Sequence, residues 1–150
     1  MSQTDTDFYR SVLIAQFPGG TIIDKNPAPE VLYPDFEPRV LPDGRVRDAD
    51  IEKQIDKDGS VWVKSRGGTS LFDKDAVFPR KKWTTFHIPN GTEIPDGIII
   101  RFTGYNKKYD ANHYQIESKA GLMRIDAYKG ALDNLARNAI ARAVELGKTR

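Results

Sequence analysis

The densest chemistry in the chain lies between Val61 and Asp73, VWVKSRGGTSLFD. A β-type run, Val61-Trp62-Val63, leads into a basic residue, a glycine pair and two adjacent hydroxyls. Gly67 and Gly68 lack a Cβ, so the backbone there can turn sharply and come very close to a neighbour. Arg66 carries the planar fork that grips phosphate or carboxylate, and Thr69 and Ser70 offer hydroxyls to amides or sugars. A strand ending in such a turn has the equipment of a nucleotide pocket, although a plain strand connection has the same composition.

A second constellation is His113-Tyr114-Gln115-Ile116-Glu117. Alternate side chains of a strand share a face, which groups His113, Gln115 and Glu117 against Tyr114 and Ile116. An imidazole, an amide and a carboxylate in a row can orient a sugar hydroxyl and stabilise positive charge at an anomeric carbon. The same alternation also describes an ordinary half-buried antiparallel strand. Just upstream, Tyr105 can stack on a ring while Lys107 and Lys108 meet phosphates. Arg80-Lys81-Lys82-Trp83 is a further basic and aromatic mixture, of a kind that suits RNA. His87 has no acidic neighbour in sequence and reads as structural. Two histidines and no cysteine leave no metal-ligand spacing, so no metal is expected. GxxxxGK[ST], GxGxxG and GxSxG are all absent, which argues against ATP hydrolysis, a Rossmann dinucleotide site and α/β-hydrolase chemistry.

These groups need a scaffold. A chain of 150 residues with 39% hydrophobic and 10% aromatic content can bury one real core. The net charge of +2 announces no nucleic-acid binder at whole-protein level. The absence of cysteine removes disulfides and thiolate chemistry and fits a reducing compartment, or a protein that crosses compartments without needing oxidative folding. Ile98-Ile99-Ile100 is far too short to span a bilayer, and MSQTDTDFYR lacks an apolar signal core, so neither a membrane partner nor a standard secretory signal is expected, while export by a signal-less machine stays open.

Phe8, Val12, Ala15 and Gln16 predict a helix over residues 7–17, capped by Asp7 and stopped by Pro18-Gly19-Gly20. Residues 21–58 are rich in Pro, Asp and Gly and read as ordered loop or arm, with one short helix possible in RVRDADIEKQIDKDG. Val61–Lys64, Thr84–Ile88, Ile98–Thr103 and His113–Glu117 read as strands between turn signals. Beyond Lys119, Tyr128, Ala131, Leu132, Leu135, Ala139, Ile140 and Val144 form a helical stripe that Gly147 stops. The reading is one α+β domain over 1–150: an N-terminal helix and Pro-rich wrapping region (1–58), a β core (59–118) and a C-terminal helix (119–150).

Four segments in this order, GGTSLFDKDAVF, IPNGTEIPDGIIIRF, YNKKYDANHYQIE and KGALDNLARNAIARA, resemble the type VI secretion exported effector two toxins, over roughly Val31 to Ala143. The resemblance implies a split, mainly antiparallel β core similar to mono-ADP-ribosyltransferase toxins, with a cleft for NAD as substrate. It also implies action in a target cell's cytoplasm, ADP-ribose transfer to an unknown macromolecular acceptor (protein or RNA) or NAD hydrolysis, and neutralisation by a cognate immunity protein. Carried onto this chain, it makes Ser70, His113 and Glu117 the catalytic candidates and Arg66, Gly68, Thr69, Ser70, Tyr105 and Gln115 the NAD-binding ones. A toxin with a degenerate pocket that acts by binding its target is the alternative.

Overall fold

The computed structural model describes residues 2–147. In chain order its elements are β1 (Ser2–Gln3), β2 (Phe8–Leu13), β3 (Ile22–Ile23), β4 (Asn26–Pro27), β5 (Arg39–Val40), β6 (Val46–Arg47) and β7 (Ile51–Ile55). There follow β8 (Val61–Gly67), β9 (Thr69–Phe72), β10 (Trp83–Ile88), β11 (Glu93–Ile94), β12 (Ile98–Asn106), β13 (Ala111–Ser118), β14 (Leu122–Arg124) and the helix α1 (Ile125–Glu145). The main antiparallel sheet has the order β10-β2-β9-β13-β12, and a smaller one has the order β14-β8-β7. The architecture is α+β, a mainly antiparallel split β core with a flanking helix.

The glycine pair makes the split. β8 belongs to the small sheet and β9 to the large one, with only Gly68 between them. Gly67 has φ +85°, and a Cβ there would lie 2.1 Å from the Asp50 carbonyl oxygen. A Cβ on Gly68 would lie 1.8 Å from the Ile116 carbonyl oxygen, so β9 can leave β8 and lie beside β13 only with no side chain at the corner. The Gly68 N–H donates to Asp50 O at 3.0 Å, fixing the end of the wrapping segment to the same corner.

The core fills the space between the main sheet and α1. Phe8, Leu71, Phe86, Ile88, Ile98 and Ile116 meet Tyr128, Leu132, Leu135 and Ala139, all buried. The helix follows directly on β14 with no side-chain cap, and Asp126 in its first turn complements the positive helix end. It ends near Gly147, whose φ of +70° no helix continues. Val144, placed on the apolar stripe by spacing, is 55% exposed in the last turn of the helix.

Three sequence expectations are corrected. Residues 7–17 are not a helix; Phe8–Leu13 is strand β2, paired with β10 from Leu13↔Trp83 to Phe8↔Ile88. Phe8 and Val12 are four apart, a spacing that fits one face of a helix and one face of a strand equally. Asp7 caps no helix; its carboxylate lies 3.0 Å from His87 Nε2 and accepts from the Asn90 N–H, so His87 does have an acidic partner, eighty residues away in sequence. Likewise Ile51–Ile55 forms strand β7, not a short helix, in register with β8. Elsewhere in 21–58, Ala28, Val31 and Leu32 are buried in the core, whereas Val40 and Val46 are exposed.

Gly68→Ala is expected to cost about 4 kcal/mol or more in urea unfolding, because backbone must move to admit the Cβ. Gly59→Ala meets open space at φ +87° and should cost only about 1–2 kcal/mol. Equal losses at the two positions would refute the corner.

Candidate functional site

β2 and β9 are neighbours in the sheet but pair only at Tyr9↔Phe72. Beyond that pair the two strands part, and Arg10 enters the gap. Its Nη1 donates to the Ser70 carbonyl at 3.3 Å and its Nη2 to the Tyr33 carbonyl at 3.1 Å. The opening is a cleft of about 700 Å³, within the range of small-molecule sites. β2 supplies Arg10 to Leu13 on one side, Ser70 and Phe72 come from β9, and His113 comes from β13.

The wrapping segment supplies the opposite wall as a chain of charges. Arg47 donates to Asp35 at 2.6 Å and to Asp50 at 3.0 Å, and Asp50 Oδ2 accepts the Asp35 N–H at 2.7 Å. Arg39 lies 3.6 Å from Asp35. Burial disfavours the charge on Arg10, and Asp50 and Asp35 offset this. The Nε atoms of Arg10 and Arg39 are buried with no hydrogen-bond partner among the described residues, although both side chains line the cleft. Unpaired donors of this kind are costly in a folded interior unless a ligand or water answers them.

The far end is aromatic. Phe78 stacks on Trp83 with centroids 4.7 Å apart, and Phe72 meets Phe78 and His113 edge-on at 6.0 and 5.1 Å. His113 is half-buried, and that desolvation lowers the pKa of its imidazole below the ordinary 6.5. The Thr103 hydroxyl donates to the His113 carbonyl at 2.9 Å and its oxygen also meets Nδ1 of the ring.

Of the residues expected from sequence, the structure brings Ser70 and His113 together in the cleft. The others stand elsewhere. Thr69 is fully buried and its hydroxyl donates to the Leu32 carbonyl at 2.6 Å, tying the wrapping segment to β9. Gly68 faces the Ile116 carbonyl. Arg66 is exposed on β8. The Tyr105 hydroxyl donates to Asp110 at 2.6 Å on the exposed β12–β13 hairpin. Glu117, 6% exposed, accepts two bonds from Arg101 (2.6 and 2.9 Å) and one from Gln115 (2.6 Å). These contacts hold the Glu117 carboxyl below the usual range although burial acts against them. Gln115 opposes Ser70 across the ladder, so the two share a face of the sheet.

Sequence reasoning missed Arg10, Arg39, Arg47, Asp35 and Asp50. Arg10 left one signal: it is the lone charge in FYRSVL, on the side of β2 that carries Phe8 and Val12.

In an NMR titration the His113 ring should reach its midpoint below pH 6.5. Its folded-state pKa lies below the unfolded one, so unfolding free energy should fall as pH drops from about 6.5 and level off below the folded value. A midpoint above 6.5 would contradict the burial of the ring.

Comparison with known proteins agrees with this architecture. The family described as Tse2 ADP-ribosyltransferase toxin matches residues 12–144. The curated protein Toxin Tse2 of Pseudomonas aeruginosa is 33% identical over 152 aligned positions, which take in 95% of this chain and 93% of that protein. Among the described residues no helix is long and apolar enough to cross a membrane. The chain belongs to the Tse2 ADP-ribosyltransferase toxin family.

Proposed function

We propose that this toxin binds NAD in the cleft between β2 and β9 and breaks its nicotinamide–ribose bond, passing ADP-ribose to a macromolecular acceptor or to water. The observation that carries the reading is Arg10: a guanidinium drawn into a strand gap and bonded to the Ser70 carbonyl, in a cleft that Ser70 and His113 also line. Arg10 and Arg39 suit the diphosphate, because a guanidinium fork matches phosphate oxygens. Phe78 and Trp83 offer flat faces to a ring of the dinucleotide.

Breaking the glycosidic bond to nicotinamide leaves an oxocarbenium-like ribose, and groups that favour that charge lower the barrier. Ser70 holds the ribose, and neutral His113 takes the proton of the incoming nucleophile. Glu117 anchors Arg101 and Gln115, and through Gln115 it positions the face that Ser70 shares. In this reading the toxin acts in the cytoplasm of a target cell after type VI export, and its producer survives by a cognate immunity protein. Membership of the family supports both points.

The test is incubation with NAD labelled on its adenylate half, with and without cell extract. Ser70→Ala and His113→Ala should each lower nicotinamide release about 100-fold or more. Arg10→Lys should raise KM for NAD about tenfold while changing kcat less, since charge stays and the fork is lost. A wild-type protein that kills cells without releasing nicotinamide or transferring label would overturn the enzyme reading and leave a toxin that works by binding.

A further inference from the structure

Phe78 and Trp83 line a second hollow, of about 510 Å³, on the other side of their stacked pair. Tyr9 and His87 line it too, their rings parallel within 6° and 4.8 Å apart, and Asp75 and Arg80 stand at its rim. Flat rings on several sides of a hollow of this size fit a planar guest.

Arg80 lines it, and further cations lie in the adjoining segments, while Asp75 in the lining and Asp7 on His87 are its carboxylates. Arg80, Lys81 and Lys82 are exposed directly before Trp83, and Lys74 reaches across to the Tyr109 carbonyl at 3.3 Å. Lys107 and Lys108 are exposed on the β12–β13 hairpin, with Lys108 over the Tyr109 ring, whose edge packs on Phe78 at 5.0 Å. Residues 73–83 and 105–110 thus hold six cations against three carboxylates, an excess larger than the net charge of +2 for the whole chain. Two of those carboxylates are engaged locally, Asp73 by Asn112 and Asp110 by Tyr105. Arg80 is 80% exposed and only 3.9 Å from Asp75, a weak surface pair that leaves it free to meet a phosphate.

We infer that this face binds a single-stranded nucleic acid, with one base in the hollow against Trp83 and the flanking phosphates on Arg80, Lys81 and Lys82. Unstacked bases on aromatic faces beside a basic track are how single strands are held without a duplex. A duplex keeps its bases stacked inward and offers the hollow nothing. An acidic protein surface could answer the cations but supplies no planar group for the hollow, so the nucleic acid is the better fit. The hollow shares its Phe78–Trp83 wall with the cleft, and binding there does not depend on the NAD chemistry.

Fluorescence anisotropy with labelled twelve-nucleotide RNA and DNA strands, and with the corresponding duplex, tests this directly. Either single strand should bind more tightly than the duplex, and the better of the two identifies the sugar preferred. Affinity should fall about 20-fold or more between 50 and 200 mM salt, as expected for three or more phosphate contacts. The charge reversal Arg80→Glu/Lys81→Glu/Lys82→Glu should abolish measurable binding, and Trp83→Ala should weaken it about fivefold or more. Trp83→Phe should retain most of it, which separates stacking from a folding defect. Salt-indifferent binding, equal affinity for the duplex, equal affinity for polyglutamate, or undiminished binding by the charge-reversed protein would each overturn the inference.

Discussion

One carbonyl group, that of Ile116, organises the molecule. Gly68 packs against it so closely that no other residue fits, and the Tyr128 hydroxyl donates to it at 3.2 Å from the helix. β13, the β8–β9 corner and α1 therefore meet at one backbone oxygen. The wrapping segment joins them through the Asp50 carbonyl, which accepts the Gly68 N–H. Thr69, next in sequence, adds the bond to Leu32 from a fully buried side chain. A polar group buried this deeply is tolerated because each donor has its acceptor, and losing either half would cost about 1–3 kcal/mol.

The cleft is a by-product of that corner. Turning β9 out of the small sheet lets it lie along β13 over Thr69↔Ile116 to Phe72↔His113, and this alignment limits its contact with β2 to a single pair. A gap at the middle of a sheet exposes backbone groups that must be answered. Arg10 answers two carbonyls across it, which is why a charged side chain sits on the face of β2 otherwise given to Phe8 and Val12. The carboxylates of Asp35 and Asp50 then support the buried charge, with Arg47 locking them to each other. Scaffold and site are thus made from the same hydrogen bonds.

Much of the β core and the helix was legible. The β-branched run of β12, the alternation in β13, the turn signals around them and the stripe of Tyr128, Leu132, Leu135 and Ala139 are local patterns that fix the element type. β2 was not, because Phe8 and Val12 satisfy both periods and Arg10 occupies the position that would have shown the alternation. The charged wall was hidden for another reason: Pro-rich sequence shows that residues 29–50 are irregular but not what they lean on. Its anchors, Leu32 to Thr69 and Asp50 to Gly68, cross long stretches of chain. The glycine pair was legible as a close approach, while its neighbour, protein backbone, was visible only in three dimensions. Ser70 and His113 were reached through the hydroxyls after the glycine pair, the polar face of HYQIE and the family resemblance, and the register sets them opposite Gln115 and Phe72.

The cleft draws Arg10, Ser70 and His113 from well-separated parts of the chain, and β2 pairs with a strand that begins at Trp83. During synthesis on a ribosome, β2 emerges early and must wait for β9, β10 and β13 before a pocket can exist. Pairings this distant in sequence form slowly even in a finished chain, since loop closure precedes any reward. A nascent chain therefore presents no assembled site until the segment carrying His113 has followed β2 out of the ribosome. Topology alone delays the moment at which this chain can do harm.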